Sequence, residues 1–428
     1  MTEGKINMVN HFNKSKSQRK IVVAMDSFKG SLTSLEAGNA VRDGILEKYP
    51  DFDVQIFPVA DGGEGTVEAL TFGKEHVQTR TISVTGPVGT EVSAGYTIYE
   101  QAGEKTAVLE MAQAAGLPLV PERRNPMHTT TYGVGEMIRD AITCGCRKFI
   151  LGIGGSATND AGIGMLQALG YHFLDATGRE VGYGAEGLAQ VWSITTEDVM
   201  PELASCTFQI ACDVTNPLVG VQGCSAVFAP QKGADAKMVQ EMDAAMNRYA
   251  DIVEDMYRKD PSLMENQLNG YDESGKNINK NDRQRHDKNR MTPGVGAAGG
   301  LGYACLMFLH AALKPGIDIV LDEIQIAQAI NTADAVITGE GRFDAQTLMG
   351  KTPIGVARIA KLYSVPAYAF AGCFGADVQV CIDSGVFAGC YAASAASTEE
   401  EKRLAMEKRH AYANLKACVK SHFCTENN

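Results

Sequence analysis

The chain has 428 residues, of which 45% are hydrophobic and 45 are glycine, and its formal net charge is −12. This length exceeds one ordinary core, so two domains are expected. The acidic balance argues against general binding of nucleic acid or of a membrane surface. No apolar run reaches bilayer-spanning length and the N-terminus is polar, which favours a cytoplasmic protein. The 11 scattered cysteines indicate reduced thiols rather than disulfides or a zinc site.

The chain opens with a strand, a polar loop and a helix, and then repeats this order. Residues 21–25 (IVVAM) predict a buried strand, and residues 35–49 show helical spacing behind a Ser34 cap. Residues 54–60 (VQIFPVA) predict a second strand, and residues 66–70 (TVEAL) begin the next helix. Strands that alternate with helices in this way favour a parallel sheet.

After about Gly86 the pattern becomes that of a separate α/β unit. It contains four predicted strands, a helix capped by threonine over residues 129–145 and a long amphipathic helix over residues 236–257. The strands are AGYTIYE (94–100), KTAVLEM (105–111), KFILGI (148–153) and TFQIACDV (207–214).

The end of the chain is predicted to return to the first sheet. Residues 276–290 are almost devoid of apolar side chains, so we predict a mobile excursion over residues 260–292, better explained as an inserted surface loop than as a nucleic-acid arm. Beyond it, ADAVITGEG (333–341) again runs from a strand into a glycine-rich loop. The predicted organisation is one domain formed by residues 20–88 and 293–428, with residues 89–292 inserted as a second.

Five polar loops each follow a predicted strand, and between them they combine glycines, hydroxyls and carboxylates. Because the carboxyl ends of parallel strands gather at one edge of a sheet, such loops favour a ligand site. Taken singly, each carboxylate has an ordinary alternative role as a turn cap or as an acid in the first turn of a helix. The loops are residues 26–31, 61–66, 154–160, 213–216 and 339–344.

The composition of these loops points to phosphate chemistry. Glycines let backbone N–H groups approach an anion, and Ser156 and Thr158 add hydroxyl donors. The many carboxylates would repel phosphate unless Mg²⁺, which binds oxygen ligands, lies between them. Lys29, Arg342 and Lys351 supply the remaining positive charge. These are the components of phosphoryl transfer.

Two other nucleotide-binding patterns are weaker. Residues 152–157 meet the relaxed Gly-x-Gly-x-x-Ala dinucleotide fingerprint, and Asp175 ends the next strand-like run, so an NAD(P)-dependent oxidoreductase is an alternative. Without a metal, however, Asp160 would repel a pyrophosphate. Residues 350–352 (GKT) are not a P-loop, because Ala345 stands where the first glycine is needed. A non-catalytic sugar-acid sensor is disfavoured by the full set of carboxylates.

Six long segments occur in an order typical of one enzyme family. They are DSFKGSLTS (26–34), VADGGEGTVEAL (59–70), GIGGSATNDAGIGMLQALG (152–170), DVTNPLVG (213–220), GAAGGLGYA (296–304) and TGEGRFDAQTLMGKTPIGVA (338–357). With these segments the chain resembles the bacterial type I glycerate kinase family, from about Lys20 to beyond Gly372. One departure is Ala161, where glycine is common in the family.

The resemblance implies ATP-dependent phosphorylation of D-glycerate with Mg²⁺, on the 2-hydroxyl to give 2-phospho-D-glycerate. A glycerate 3-kinase, or a kinase of another small hydroxy acid, is the alternative. It also implies an α/β fold with a flavodoxin-like parallel-sheet domain, built from both ends of the chain, and an inserted restriction-enzyme-like α/β domain. The expected partners are therefore ATP and glycerate, not nucleic acid or a membrane. A homo-oligomer is compatible with the sequence.

We predict the roles of individual residues from this chemistry. Asp160 and Asp213 compete for the roles of catalytic base and metal ligand, and Lys351 reaches the transferred phosphoryl group. Arg342 or Lys29 clamps the glycerate carboxylate, since arginine binds planar anions through two hydrogen bonds. The predicted phosphate contacts are Gly154, Gly155, Ser156, Thr158 and Asn159. The predicted substrate-binding residues are Lys29, Ser31, Asp61, Glu64, Asn216 and Asp344.

Overall fold

The computed structural model describes residues 18–63, 65–121, 124–259, 289–394 and 399–423. The described chain divides into two compact units. Unit 1 contains the residues up to Val59 and those from Ile324 onward, and unit 2 contains Ala60–Glu323. The middle of the chain is thus inserted into a unit built from both ends, with boundaries after residues 59 and 323 rather than after residues 88 and 292 as predicted.

The strands alternate with helices along most of the chain. The strands are β1 (Lys20–Met25), β2 (Asp53–Ile56), β3 (Glu75–Thr85), β4 (Glu91–Gln101), β5 (Glu104–Glu110), β6 (Lys148–Gly152), β7 (His172–Leu174), β8 (Ser193–Thr195), β9 (Thr207–Ala211), β10 (Ala312–Lys314), β11 (Ala335–Gly339), β12 (Arg342–Phe343), β13 (Ala367–Ala371), β14 (Cys373–Phe374) and β15 (Gly389–Ala392).

Most of the helices are short, and α8 is the longest of those described. They are α1 (Ser34–Lys48), α2 (Thr66–Thr71), α3 (Ala112–Ala115), α4 (Tyr132–Thr143), α5 (Ile163–Ala168), α6 (Gly184–Leu188), α7 (Cys224–Phe228), α8 (Ala236–Lys259), α9 (Ala297–Phe308), α10 (Gly316–Glu323), α11 (Ile326–Ile330), α12 (Thr352–Leu362), α13 (Gln379–Asp383), α14 (Glu399–Met406) and α15 (Lys408–His422). Short 3₁₀ helices cover Leu117–Leu119, Pro201–Ser205, Pro230–Lys232 and Ala345–Met349.

Unit 1 is built on a five-stranded, all-parallel sheet in the order β15-β13-β11-β1-β2. Numbered within the unit, this is the order 2-1-3-4-5 of flavodoxin-like folds, as the resemblance implies. Strand β1, which lies between β11 and β2, is buried from Ile21 to Met25, which explains its continuous apolar run. Helices α1 and α15 pack against each other, and their residues Val41, Ile45 and Leu415 are buried in the same core as β1.

The first helix begins one residue earlier than predicted. Thr33, not Ser34, is its N-cap, and Thr33 and Glu36 form a capping box. The Ser34 hydroxyl instead donates to the Met25 carbonyl at 2.5 Å and accepts from the Val59 N–H. Ser34 therefore ties the end of β1 to the segment that follows β2.

Unit 2 is built on a mixed six-stranded sheet in the order β10-β9-β6-β5-β4-β3. Strands β5, β6, β9 and β10 run parallel, whereas β3, β4 and β5 are joined by antiparallel pairing. The four strands predicted in this region are confirmed. Because β3 pairs with β4 and α9 lies in the unit 2 core, residues 75–85 and 297–308 belong to unit 2. This pairing and packing explain why the unit boundaries differ from the predicted ones.

Three further observations concern regions that the sequence singles out. Residues 260–288 of the predicted excursion lie outside the described residues, while Arg290 is held by Asp251 and Glu254 of α8. All cysteines in the described ranges are free thiols. None of the helices that the structure describes combines the length and the apolar character needed to cross a membrane.

Candidate active site

In unit 1, two predicted loops leave neighbouring strands. Met25 at the end of β1 lies beside Gly339 at the end of β11, so residues 26–31 and 340–344 start side by side. These two strands flank the point where the strand order reverses, which is where flavodoxin-like sheets bind ligands. We use the name unit 1 cluster for the charged residues gathered here, Asp26, Glu340, Arg342, Asp344 and Lys351.

Glu340 is the buried centre of the unit 1 cluster, with 8% of its surface exposed. The Thr347 hydroxyl donates to Glu340 Oε1 at 2.6 Å, and Lys351 Nζ lies 3.4 Å from Oε2. Burial raises the pKa of Glu340, and the Thr347 hydroxyl and the Lys351 ammonium partly offset that rise. Glu340 is the principal cluster residue that has no assigned role in the sequence-based prediction, although it lies in a predicted loop.

The other charged groups of the unit 1 cluster are paired as well. Lys351 Nζ lies 3.9 Å from Asp344 Oδ1, and Arg342 Nε lies 3.4 Å from Asp344 Oδ2. Asp344 also caps the 3₁₀ helix Ala345–Met349. Asp26 is buried and accepts from the Ser27 N–H and the Thr352 hydroxyl, both at 2.6 Å. The loops after β1 and β11, two of the five predicted loops, thus bring acidic and basic side chains together within unit 1.

The remaining unit 1 residues from the sequence lie near the start of α1. Lys29 is exposed, whereas Ser31 is half-buried and its backbone N–H donates to the Phe28 carbonyl. Ser31 Oγ is buried and has no hydrogen-bond partner among the described residues. Substrate binding by Lys29 and Ser31 stays a prediction.

In unit 2, the ends of four parallel strands form a row. Glu110, Gly152, Ala211 and Lys314, the last residues of β5, β6, β9 and β10, are register partners of one another in that order. The glycine loop, residues 152–160, and the Asp213 loop therefore leave adjacent strands. We use the name unit 2 cluster for the glycine loop together with Asp61, Asp213, Asp318 and Lys232.

Asp213 is exposed and surrounded by negative charge. Its Oδ1 accepts from the Gly316 N–H at 2.9 Å. Partial desolvation raises the pKa of Asp213, and the nearby carboxylates of Asp61 and Asp318 raise it further. A Cβ at Gly62 (φ +100°) would lie 3.5 Å from Asp213 Oδ2 and 3.2 Å from the Gly316 Cα, so glycine leaves this side of the carboxylate open.

Asp160 has a different position from Asp213. It is fully buried, and its Oδ2 accepts from the N–H and the hydroxyl of Thr131, both at 2.8 Å. Its Oδ1 accepts from the Gly162 N–H at 3.1 Å, and burial raises its pKa. The carboxylate faces the interior of unit 2 and fixes the residue before α4. This placement argues against the roles of base and metal ligand that we expect for Asp160 from the sequence.

The glycine loop has an exposed half and a buried half. Gly154 and Gly155 are exposed, Ser156 is half-buried, and Thr158 and Asn159 are fully buried. Asn159 Nδ2 donates to Ser225 Oγ at 3.0 Å, so the amide faces inward and its predicted phosphate contact is disfavoured. Thr158 Oγ1 is also buried. The residues placed to touch a phosphate are Gly154, Gly155 and Ser156.

Lys232, which has no role in the sequence-based prediction, lies beneath the glycine loop. Only 2% of its surface is exposed. Its Nζ donates to Ser156 Oγ at 2.8 Å and to the Thr158 carbonyl at 2.7 Å. Burial lowers the pKa of Lys232 to about 8. No motif marks this lysine, and lysines are usually exposed, so the sequence carries no signal for it.

The other predicted unit 2 residues serve mainly local structure. Asn216 Nδ2 donates to the Gln222 carbonyl at 2.8 Å, and Asp61 Oδ1 accepts from the Gly63 N–H at 3.3 Å. Glu64 lies outside the described residues. Asp175, on which the dinucleotide alternative depends, accepts from the N–H groups of Thr177 and Arg179 in its own turn. Those bonds give Asp175 a structural role.

The donor set of the unit 2 cluster fits Mg²⁺. Within the described ranges, no group of three or more His, Cys, Asp or Glu side chains is spaced to enclose a metal. Mg²⁺ is usually held by only one or two carboxylates, with waters and substrate phosphates completing the octahedron. Asp213, open on the side of Oδ2 and next to Asp61, provides a site of this type.

Parallel strands whose final loops carry glycines, acids and lysines define an α/β enzyme of the phosphate-transferring class. Comparison with known proteins supports this class. A model of the glycerate kinase family matches residues 21–423. The chain is 45% identical over 370 residues to a glycerate kinase of Haemophilus influenzae, covering 86% of this chain and 89% of that protein. It is 42% identical over 368 residues to a glycerate 2-kinase of Escherichia coli, covering 86% and 88%.

A solved structure agrees with these sequence relatives. It is a crystal structure from Salmonella typhimurium LT2 whose protein bears the provisional name glycerate kinase 2. It superposes with a TM-score of 0.76 at 39% identity, covering 95% of this chain and 99% of that one. The chain belongs to the glycerate kinase family. It is accordingly a kinase that transfers a phosphate group to an alcohol.

Proposed function

We propose that this chain phosphorylates D-glycerate on the 2-hydroxyl, using ATP and Mg²⁺, to give 2-phospho-D-glycerate. Family membership and the relative named glycerate 2-kinase support the reaction and the position. The observation that carries the proposal is the unit 2 cluster, where an open carboxylate and a glycine loop backed by a buried lysine leave adjacent strands. Phosphoryl transfer depends mainly on positioning and on compensating charge, and the cluster offers both.

In this proposal, the glycine loop binds the phosphates of ATP. The backbone N–H groups of Gly154 and Gly155 make no hydrogen bond within the described residues, so both are available to an anion. A Cβ at Gly154 would have no atom within 4 Å, which leaves room for phosphate oxygens. Ser156 contributes a hydroxyl donor. These three residues act by orienting the phosphates rather than by covalent chemistry.

Asp213, with Asp61 beside it, would hold the Mg²⁺. Mg²⁺ held by these carboxylates would supply positive charge that compensates the charge of the phosphates. A cation here would relieve the repulsion among Asp61, Asp213 and Asp318 that raises the pKa of Asp213. Of the two aspartates predicted as base and metal ligand, only Asp213 is exposed to a substrate, so we assign its carboxylate both the metal contact and the orientation of the glycerate hydroxyl.

The unit 1 cluster supplies the cationic groups for the small acid. The side chain of Arg342 is 67% exposed. Lys29 is also exposed, and it follows the buried Asp26 closely in the sequence. Arginine can hold a planar carboxylate through two hydrogen bonds, which suits the carboxylate of glycerate. Lys351 is held by Glu340 and Asp344 within unit 1, and its contact with the transferred phosphoryl group stays a prediction from the sequence.

The test is a product analysis. The protein is incubated with ATP, Mg²⁺ and D-glycerate, and the phosphorylated isomer is identified by ³¹P NMR, with L-glycerate, glycolate and D-lactate as parallel acceptors. The 2-phosphate is the expected product. The 3-phosphate would replace the proposal with a 3-kinase, preference for another acceptor would replace the substrate, and no phosphorylated product from any acceptor would overturn it.

A nicotinamide fluorescence titration separates the remaining alternative. An NAD(P)-dependent oxidoreductase would quench or shift the fluorescence of NADH or NADPH at micromolar protein concentrations. We expect no change, because Asp175 is engaged in its own turn and the glycine loop lies beside carboxylates. Cytoplasmic location and oligomeric state stay predictions from the sequence.

A further inference from the structure

Lys232 is a buried cation whose close partners are neutral oxygens. Its ammonium contacts a hydroxyl and a backbone carbonyl, and it forms no ion pair within the part of the chain that the structure describes. Removing a lysine ammonium from water is costly, and buried charges are ordinarily paired. The position of Lys232 therefore demands a reason beyond packing.

The acidic groups that face Lys232 only partly compensate its charge. The Cys224 thiol favours the ammonium only as a thiolate, and burial raises the pKa of that thiol to about 12. The Asp160 carboxylate contributes at longer range but already accepts three hydrogen bonds from Thr131 and Gly162. Positive potential therefore remains on the loop side of the ammonium.

The geometry of the contact directs that potential outward. Because Ser156 Oγ accepts a hydrogen bond from Lys232, its own O–H proton is available to a group on the other side. That side is half-exposed and continues into Gly154 and Gly155, which are open to solvent. The lysine is thus separated from bulk water, while its effect reaches the surface through one polarised hydroxyl and one fixed loop.

We propose that Lys232 is a positioning residue for the nucleotide phosphates, which holds the glycine loop by Ser156 and Thr158 and turns the Ser156 hydroxyl toward a bound phosphate. This inference rests on the proposed function in taking the phosphates to be those of ATP. The ligand class is a polyphosphate oxyanion. The lysine does not touch the phosphate; it acts through Ser156 and through its field, which water and salt screen less because it is buried.

The first test is the substitution Lys232→Met in the full chain, which keeps the length of the side chain and removes its charge and donors. We expect the KM for ATP to rise by about 10- to 100-fold, with the KM for D-glycerate changed less than about twofold, as for other lost charge-assisted contacts. Lys237→Met, at an exposed lysine of α8 that pairs with Glu241, is the matched control and should match the wild type.

The second test does not need turnover. Inorganic tripolyphosphate, added without glycerate, should raise the melting temperature of the wild type and of Lys237→Met, and should leave a folded Lys232→Met unchanged. Protection of all three proteins alike, or equal increases in both KM values, would overturn the inference. Since this readout involves neither glycerate nor its product, a wrong substrate assignment and a wrong role for Lys232 give different results.

A third measurement covers the case in which Lys232→Met does not fold. Affinity of the wild type for MgATP is measured from pH 7 to pH 9.5. We expect a loss of about tenfold as Lys232 loses its proton around pH 8, while Cys224 stays a thiol and Asp160 stays shielded by its three donors. An affinity that does not change over this range contradicts the inference.

Discussion

The unit 1 cluster and the unit 2 cluster both follow the ends of parallel strands, yet they handle charge in opposite ways. In unit 1, Glu340, Lys351, Asp344 and Arg342 form a chain of ion pairs. In unit 2, the carboxylate of Asp213 has negative neighbours, and the ammonium of Lys232 has neutral ones. The charges of the unit 1 cluster are paired within the protein, whereas the proposed function has a bound cation and a bound anion complete the unit 2 cluster.

This difference in charge compensation predicts which substitutions should impair the enzyme most. Where an ion pair is complete within the protein and reaches the surface, as at Arg342 and Asp344, replacing one member changes the free energy by only about 0–1 kcal/mol. A group that meets its counter-charge only when substrates bind loses that whole interaction when it is replaced, and the loss appears in KM, in kcat or in both. Substitutions in the unit 2 cluster should therefore have large effects, on turnover at Asp213 and on ATP binding at Lys232. Substitutions in the unit 1 cluster should have milder effects on substrate binding.

The largest expected effect is that of Asp213→Asn. Losing the charge that faces the metal and the hydroxyl should lower kcat by about 10²- to 10⁴-fold, the range for a positioned catalytic group. Steady-state assays give kcat, and circular dichroism checks that the fold is kept. Asp198→Asn, at an exposed aspartate that pairs with His172, is the control. Turnover of Asp213→Asn near the wild-type rate would contradict the assignment.

Asp160→Asn should act on stability instead. An asparagine presents an NH₂ group to the N–H donors of Thr131 or Gly162, so at least one buried donor is left unsatisfied. The free energy of unfolding should fall by about 2–4 kcal/mol, measured by urea denaturation. At a temperature where the variant stays folded, kcat should remain within about fivefold. A large loss of kcat in a folded Asp160→Asn would restore the catalytic role predicted from the sequence.

The buried lysine predicts a pH-dependent difference in stability between the wild type and Lys232→Met. The pKa of Lys232 is about 8 in the folded chain, against an ordinary 10.5. Between these values the unfolded wild type binds more protons, so its free energy of unfolding rises with pH relative to the variant, by up to about 3 kcal/mol. Below pH 8 both states are protonated and the difference is constant. Urea unfolding at pH 7, 8, 9 and 10 measures it, and a constant difference throughout would refute the effect.

The smallest expected effect is that of Glu340→Gln in the unit 1 cluster. The amide can still accept from the Thr347 hydroxyl, while Lys351 keeps only Asp344 as a charged partner. Losing one of the two charged partners of Lys351 should raise the KM for D-glycerate by about two- to fivefold and leave the KM for ATP unchanged. An effect as large as that of Asp213→Asn would remove the contrast between the two clusters.

Much of the fold can be predicted from the sequence, because it depends on local apolar patterns and on the topology of parallel sheets. The apolar runs of β1 and β11 predict buried parallel strands, and parallel strands bring their final loops to one edge. Strand β3 is missed because most of its side chains are exposed and polar, and its apolar alternation is limited to Ile82 and Val84. The predicted boundary after residue 88 therefore separates β3 from its partner β4.

The candidate site is less predictable because it depends on burial across long sequence separations. Asp160 and Asp213 look alike in sequence, since each lies in a polar loop after a buried strand. They differ because Thr131, far upstream, supplies the donors that hold Asp160 inside. Lys232 reaches Ser156 from a 3₁₀ turn 76 positions away, and no pattern links the two. Contacts of this kind are set by tertiary packing.

The split construction of unit 1 has a consequence for synthesis of the chain. Strand β1 emerges from the ribosome long before β11, its neighbour in the sheet, because all of Ala60–Glu323 is translated between them. At about 5–20 residues per second, roughly 300 intervening residues take some 15–60 seconds. Throughout that delay one edge of β1, which is apolar from Ile21 to Met25, lacks its final neighbour, while the inserted unit can already collapse around its own core. We therefore expect the inserted unit to fold during synthesis before the sheet of unit 1 is complete.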